Sequence, residues 1–406
     1  MDTTTYPMTI GQLSVYRDVE RLPQEQSWEA NLQPLVWDIR TECTVEDVWQ
    51  ALAALAMRHE SLRTNYAIDD SGAPLQFLCA HDAEEILKRV DHGVADVCEL
   101  SETMAAKYQE PLDIYHGIPW RAWVLTEDGV PKQVLYIVHH MAADGAASLI
   151  MQDDFHALLA GQELPPPGGQ PITMALDQQG AGAHRLRAAE RYWRRTLDAA
   201  PRRDADSSAD SSPEMLGATL TTGIPLERLH AGAAALDVTA ATVVTAALYR
   251  SLRTVLGRSA VLILAISANR FDSSTAGVVT SLNQWAPFLL DFDGTESFAE
   301  LAGKVHGKSL NVEKADPPVD PGFNMNAILA PPGFAPAVEQ QPAGVEFATP
   351  ARAFGPGFYL IVRGIQTVDA VVRCSRPDVD QARLAAFMDE LQATLLQAAG
   401  LEPLPA

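Results

Sequence analysis

The strongest chemical signal in the sequence is the stretch HHMAADG at residues 139–145. An imidazole accepts and returns a proton near neutral pH, so His139 and His140 are candidates for acid–base chemistry. The carboxylate of Asp144 is suited to fixing the loop that aims them. Residues 134–138, just before, form a continuous apolar run typical of a strand buried on both faces. We therefore predict an acid–base site mounted rigidly at the end of a buried strand.

The elements around this stretch follow from periodicity and end signals. A helix is predicted directly after the motif, with Gly161 as its stop signal. Other helices are expected at 44–57, with Thr44 as N-cap, and at 240–256, which leads to a strand at 261–266. The apolar side of the helix after the motif is expected to contain Leu149, Ile150, Phe155, Leu158 and Leu159.

The histidine pair has two other interpretations. A histidine beside an apolar strand is often a structural residue whose ring nitrogens are satisfied by neighbours. Two histidines can also bind a metal, and Asp144 is a candidate third ligand. The sequence contains neither an HExxH pattern nor a cysteine–histidine cluster, so we predict that the site holds no metal.

The stretch at 139–145 resembles the HHxxxDG signature of nonribosomal peptide synthetase condensation domains, which belong to the chloramphenicol acetyltransferase-like superfamily. Residues 58–66, RHESLRTNY, are similar to the RHExLRTxF segment of that family, with Tyr66 in the Phe position. These two landmarks occur in the family's order.

Two weaker landmarks extend the resemblance over most of the chain. Residues 8–12, MTIGQ, are similar to the family's opening motif, whose Gln falls on Gln12. Residues 277–283, GVVTSLN, resemble the GxFVNT strand, whose Asn falls on Asn283. Four landmarks in the expected order indicate a member of this family.

Departures from the family pattern indicate a divergent member. The opening motif lacks its usual Trp, and Tyr16 is the nearest aromatic residue after it. Residues 174–177 match their motif poorly, and the last motif, RxxxRNPL, has no convincing copy. Residues 146–148 read AAS, where epimerisation relatives prefer Val-Ser-Trp. Heterocyclising relatives replace both histidines by Asp, so condensation fits best.

The resemblance implies an α/β fold of two chloramphenicol acetyltransferase-like lobes in a V-shaped pseudo-dimer, with the active site in a tunnel between them. It implies no bound cofactor, because substrates arrive as thioesters on the phosphopantetheine arms of acyl or peptidyl carrier proteins, which deliver the donor and the acceptor. Gly145 has no Cβ and would leave room for such an arm. Asn283 would help to position the substrate or line the tunnel.

The same resemblance assigns the remaining site residues. His140 would be the catalytic histidine, and His139 would pack and hydrogen-bond structurally. Asp144 would not touch the substrate. Because burial of an unpaired carboxylate is costly, it needs a charged partner, and Arg270 stands where relatives carry that arginine.

Length and composition predict how many domains the chain forms and which kinds of partner its charge disfavours. At 406 residues and 47% hydrophobic content, the chain is expected to form two domains, at 1–180 and 181–406. Residues 201–213 are polar and acidic, which predicts a flexible loop. A net charge of −22 argues against nucleic acid and anionic membranes as partners.

One basic cluster stands out against this acidic background. The arginines of residues 185–203 fall on a predicted helix and form either an ordinary solvated face or a docking surface for an acidic carrier protein. Four cysteines show no pairing or metal spacing, and residues 1–5 lack the character of a signal peptide. We expect a cytoplasmic monomer.

Three functions remain open at the level of sequence. The first is condensation that forms an amide or an ester. The second is an acyltransferase that releases a polyketide or fatty acyl chain onto a small alcohol. The third is a catalytically silent recruitment domain of the same fold, which is disfavoured because His140 is retained. Since no adenylation or carrier signature is present, the chain is expected to be free-standing or one domain of a larger synthetase, with its carriers supplied in trans.

Overall fold

A computed structural model describes residues 4–200, 215–258, 260–270, 273–291, 294–309, 322–333, 338–349 and 356–402. The loop predicted at 201–213 lies outside the described residues. The chain divides into two compact units, one formed by Met1–Arg185 with Ala268–Gln284, the other by Leu186–Ser267 with Trp285–Ala406. The sequence predicts a single boundary at residue 180. That prediction misses that residues 268–284 belong to the first unit.

The elements of residues 4–200 are β1 (Tyr6–Pro7), α1 (Ile10–Val19), β2 (Leu35–Asp38), α2 (Val45–Arg58), β3 (Thr64–Ile68), β4 (Pro74–Leu78), α3 (Ala83–Arg89), β5 (Asp91–Asp96), α4 (Leu100–Tyr108), β6 (Trp120–Glu127), β7 (Val130–Val138), α5 (Gly145–Leu159), α6 (Pro171–Gln179) and α7 (Ala183–Ala199). Those of residues 215–402 are β8 (Leu216–Pro225), α8 (Leu226–Ala235), α9 (Ala240–Leu256), β9 (Ala260–Ser267), α10 (Ser273–Ala276), β10 (Gln284–Asp291), α11 (Phe298–Ser309), β11 (Asn324–Leu329), β12 (Gly344–Phe347), β13 (Phe358–Gly364), β14 (Thr367–Cys374) and α12 (Gln381–Ala398). The predicted helices at 44–57 and 240–256 and the strand at 261–266 are confirmed.

The first unit is built on a four-stranded sheet in the order β2-β7-β6-β5, and a three-stranded sheet in the order β1-β4-β3 accompanies it. β7 runs antiparallel to both β2 and β6. Along β7, Val134, Tyr136 and Val138 pack in one cluster with side chains of α2 and α5. Leu135 and Ile137 pack in another with side chains of α4. β7 is therefore buried on both faces, as its apolar run predicts.

The two helices on this sheet form where local signals place them. The Thr44 side chain accepts a hydrogen bond from the backbone N–H of Asp47, and the Asp47 side chain accepts one from that of Thr44, a reciprocal cap at the start of α2. In α5 the buried residues are Ala147, Met151 and Phe155. The expected apolar side was wrong in part, because Leu149 is 40% exposed. The buried side chains recur every fourth residue, as an α-helical face requires.

The second unit contains a seven-stranded sheet in the order β10-β9-β11-β13-β14-β8-β12. Its core joins this sheet to side chains of α8, α9, α11 and α12. α9 begins at the N-cap Thr239 and ends at Gly257, whose φ of 66° is left-handed and suits glycine. Among the described helices, none alone has the length and apolar character to cross a bilayer, and α8 and α9, bent by 87°, meet that test only together.

Candidate active site

His139 directly follows the buried strand β7 and is held by the backbone around it. Its N–H donates to the carbonyl of Pro119 at 2.9 Å, and it forms an isolated bridge with Asn31. Its Nδ1 accepts from the N–H of Met141 at 3.1 Å, and only 3% of the residue is exposed. Burial, and then the neighbouring His140, lowers the pKa of His139 to about 3. His139 is therefore neutral at physiological pH, with Nδ1 already engaged.

Because the His139 ring is buried and neutral, we expect the protein to lose stability in mild acid. The unfolded chain binds a proton at His139 below pH 6.5, whereas the folded chain does so only near pH 3. Between these values the unfolded state holds more protons, so the free energy of unfolding falls as pH falls, by about 2 kcal/mol at pH 5. Urea titrations at pH 7 and pH 5 are expected to show this loss in the wild type and a smaller one in His139→Asn, whose Oδ1 replaces the Nδ1 acceptor.

The exposed His81 provides the matched control for this comparison. His81→Asn makes the same change of side chain at the surface. Its loss of stability between pH 7 and pH 5 should equal that of the wild type. An equal loss in His139→Asn would contradict the assignment.

His140 starts the loop between β7 and α5 and is half-buried. Its N–H donates to the carbonyl of Ala30 at 2.7 Å, which ties the backbone to the residue before Asn31. Its Nδ1 lies 3.1 Å from the carbonyl of Ala143. A carbonyl oxygen only accepts, so Nδ1 carries the hydrogen. In the neutral ring the basic lone pair is then on Nε2, the form that a proton acceptor requires.

Three carbonyl groups of this loop, those of Met141, Ala142 and Ala143, accept hydrogen bonds from side chains. Tyr66 Oη donates to the carbonyl of Met141 at 3.2 Å, and Ser61 Oγ to that of Ala142 at 2.7 Å. Burial raises the pKa of Tyr66, so its hydroxyl keeps the hydrogen that it donates. Tyr66 and Ser61 belong to the RHESLRTNY segment. That segment therefore supports the histidine loop by hydrogen bonds.

Asp144 is buried, with 2% of the residue exposed, and both of its carboxylate oxygens accept hydrogen bonds. Oδ1 accepts from the N–H of Ala147 at 2.9 Å, which caps α5. Oδ2 accepts from Arg270 Nη1 at 2.8 Å. It also accepts from the N–H groups of Leu282 at 2.8 Å and Asn283 at 3.1 Å. The expected ion pair with Arg270 is present, and backbone N–H donors also stabilise the carboxylate.

Arg270 shapes the segment at 277–283, which was expected to be a strand. Its Nη2 donates to the carbonyls of Val278 and Thr280, both at 3.1 Å. The segment is a loop, and β10 begins only at residue 284. The strand prediction was wrong because Arg270 and Asp144 take the backbone groups that a β-ladder would use.

The loop at 277–283 also supplies a residue that the motif comparison did not single out. Ser281 Oγ lies 3.3 Å from His140 Nδ1 and 2.7 Å from Asn283 Oδ1. A Cβ on Gly11 would lie within 3.0 Å of the Ser281 carbonyl oxygen and the Leu282 Cα, so the first turn of α1 packs directly on this loop. Glycine is needed there for close approach. Nothing in the local sequence connects Ser281 with His140.

Gly145 is the first residue of α5 and is exposed. A Cβ at this position would meet no other atom of the described chain within 4 Å. The structure thus brings together His139, His140, Asp144, Gly145, Arg270 and Asn283, all of them in the first unit.

A known protein family matches most of the chain. The family model of the condensation domain matches residues 3–319. The chain belongs to the condensation-domain family. The match includes both histidines, Asp144, Arg270 and the 277–283 loop.

Among curated relatives, this condensation domain is 27% identical to bacitracin synthase 2 of Bacillus licheniformis over 198 residues. The aligned part covers 48% of this chain and 7% of that synthase, so the chain spans a small fraction of the relative's length.

Solved structures of the family have the same fold. A condensation domain studied for chain release from the enacyloxin polyketide synthase matches with a TM-score of 0.76 and 19% identity, covering 100% of this chain and 85% of that one. The epimerization domain of the third module of tyrocidine synthetase B matches with a TM-score of 0.71 and 15% identity, covering 98% of each chain. The expected chloramphenicol acetyltransferase-like α/β fold is confirmed, and the arrangement of its two lobes stays a prediction.

Proposed function

We propose that this condensation domain transfers an acyl group from a carrier-bound thioester to an amine or hydroxyl acceptor, forming an amide or an ester. The observation that carries the proposal is the contact between His140 Nδ1 and the Ala143 carbonyl at 3.1 Å. It leaves the basic lone pair on Nε2 in a loop whose Met141 and Ala142 carbonyls and capping carboxylate all accept hydrogen bonds. A base held in one tautomer is suited to general acid–base catalysis.

The proposed step balances without a cofactor. The acceptor attacks the thioester carbonyl carbon, and Nε2 of His140 takes the proton that the acceptor loses. The C–S bond then breaks, and the proton passes to the leaving sulfur, which restores the phosphopantetheine thiol and neutral His140. His139 takes no part, because it is buried and neutral and its Nδ1 accepts from Met141.

A second candidate function is the release of an acyl chain onto a small alcohol. It is favoured by the likeness to the domain studied for chain release from the enacyloxin polyketide synthase. A catalytically silent recruitment domain is disfavoured, because His140 is retained and its tautomer is defined. The four free cysteines are compatible with the reducing cytoplasm, where we place the reaction.

Intact-mass spectrometry of acyl-loaded carrier proteins tests these alternatives directly. The protein is incubated with the loaded donor, an aminoacyl carrier, a small amine and a small alcohol together, beside the same mixture without the protein. Loss of the acyl mass from the donor and its gain by the aminoacyl carrier are expected for condensation. Gain by the alcohol alone would favour chain release. No transfer above the protein-free mixture, with stable binding of a carrier, would favour recruitment.

We propose that the carrier docks on the exposed arginine face of α7. Arg187, Arg191, Arg194 and Arg195 recur at spacings that place them on one side of the helix, whereas Trp193 is buried on the other. Arg202 and Arg203, the end of the predicted basic cluster, lie outside the described residues. On a chain of net charge −22, such a face is a local attraction for an acidic carrier.

Charge reversal on this face is expected to weaken carrier use without changing the chemistry. Arg191→Glu should raise the KM for the carrier roughly fivefold, the size of one exposed charge contact, and leave kcat unchanged. The matched control is Arg40→Glu, which makes the same change of charge at another exposed arginine. Equal KM values in the two variants at low salt would contradict docking on α7.

A further inference from the structure

Ser281 lies between the proposed base and the amide of Asn283. It is 0% exposed, and its Oγ is 3.3 Å from His140 Nδ1 and 2.7 Å from Asn283 Oδ1. All three residues are in the first unit, although 141 positions in the sequence separate Ser281 from His140. A buried hydroxyl in contact with a histidine ring influences where the ring holds its hydrogen.

The available hydrogens allow only one donor–acceptor order among His140, Ser281 and Asn283. The Ala143 carbonyl accepts only, so Nδ1 of His140 carries a hydrogen and cannot accept one from Ser281. The single hydroxyl hydrogen of Ser281 is therefore donated to Asn283 Oδ1, the shorter of its two contacts. Ser281 Oγ then accepts from Nδ1–H, which it shares with the Ala143 carbonyl.

The series of hydrogen bonds from His140 through Ser281 to Asn283 ends at the buried carboxylate of Asp144. The backbone N–H of Asn283 donates to Asp144 Oδ2 at 3.1 Å, and that of Leu282 donates to the same oxygen at 2.8 Å. Arg270 binds the same oxygen and the carbonyl just before Ser281. The Asp144–Arg270 pair thus reaches His140 through Ser281 and Asn283, without touching the histidine in any of these contacts.

We infer that Ser281 is a positioning residue that holds the ring of His140 with the hydrogen on Nδ1 and the lone pair on Nε2. This inference rests on the proposed role of His140 as the base. Ser281 does not act on the substrate. It accepts the Nδ1 hydrogen through an oxygen that Asn283 polarises and the Asp144–Arg270 pair keeps in place.

The test compares Ser281→Ala and Ser281→Cys with Ser281→Thr. Alanine removes the hydroxyl, and cysteine keeps the size with only a weak hydrogen-bonding group, so both should lower kcat roughly three- to tenfold with KM unchanged, the loss of one neutral hydrogen bond. Threonine restores the hydroxyl and should recover kcat. Ser251→Ala is the matched control, because Ser251 is a fully buried serine whose hydroxyl donates to the Ala247 carbonyl in the second unit.

A spectroscopic measurement separates this inference from the proposed function. In protein labelled with ¹⁵N-histidine, the His140 ring should show one tautomer, with Nδ1 protonated, in the wild type and in Ser251→Ala. In Ser281→Ala and Ser281→Cys, where the Ala143 carbonyl holds the Nδ1 hydrogen without the help of Ser281, the Nε2-protonated tautomer should appear as a minor second form. That result without acyl transfer by the wild type would support Ser281 and overturn the proposed function. Unchanged ring signals and unchanged kcat in both variants would overturn the role of Ser281.

Discussion

His140→Ala is expected to lower the rate of acyl transfer to a hydroxyl acceptor by about 10²–10⁴-fold, the usual contribution of a general base. A hydroxyl attacks a thioester usefully only as it loses its proton, and Nε2 of His140 is the proposed acceptor. An α-amine has a pKa near 8, so a useful fraction is already neutral near neutral pH. Transfer to an amine should therefore lose less. Intact-mass time courses with paired alcohol and amine acceptors measure the two rates.

The substitution His140→Asn distinguishes loss of the base from disruption of the loop that carries it. In His140→Asn, the side-chain amide can still donate to the Ala143 carbonyl, which His140 Nδ1 contacts at 3.1 Å in the wild type. The asparagine has no nitrogen that accepts a proton. It should match His140→Ala in rate and the wild type in melting temperature. Full turnover with the hydroxyl acceptor in either variant would exclude His140 as the base.

Asp144→Ala is expected to reduce the free energy of unfolding by about 3–5 kcal/mol, the cost of breaking a buried ion pair. The substitution leaves Arg270, whose side chain is 8% exposed, without its carboxylate. It also removes the cap of α5 and the acceptor for the Leu282 and Asn283 N–H groups. For a unit of this size, the melting temperature should fall by roughly 6–20 °C. Thermal unfolding followed by circular dichroism measures the change.

A double-mutant cycle shows whether the pair with Arg270 causes this loss. Arg270→Ala alone leaves the carboxylate of Asp144 buried, whereas the double variant leaves neither charge alone, so the two effects should not add. The control is the exposed pair of Arg194 and Glu190, where Glu190→Ala should cost no more than about 0.5 kcal/mol. An unchanged melting temperature in Asp144→Ala, or strict additivity in the cycle, would contradict the pairing.

Elements whose signals lie within a few residues could be predicted well. The apolar run of β7 and the Thr44 cap of α2 are where the pattern places them. The predicted face of α5 was less accurate, because it includes Leu149, which is 40% exposed, and omits Ala147 and Met151, which are buried. Side-chain size and apolar character do not by themselves say which side of a helix meets the sheet.

The segment at 277–283 shows where a local pattern misleads. Its apolar and β-branched residues are typical of a strand, and residues 278 and 279 are indeed buried. Yet two of its carbonyls accept from Arg270, and two of its N–H groups donate to Asp144. A strand is defined by the hydrogen bonds of its backbone to a neighbouring strand, and here two charged side chains take several of those backbone groups instead.

The sequence by itself determined the strand–loop–helix unit around 139–145 and, through family resemblance, Arg270 as the partner of the Asp144 carboxylate, whereas the capping of α5 by Asp144 came from the structure. Only the tertiary structure decided that residues 268–284 return to the first unit and that Ser281 meets His140. The physical reason is the distance along the chain over which each kind of interaction acts. Periodicity and caps act over a few residues, whereas the partner of a buried hydroxyl 141 positions away is chosen by how the whole chain packs.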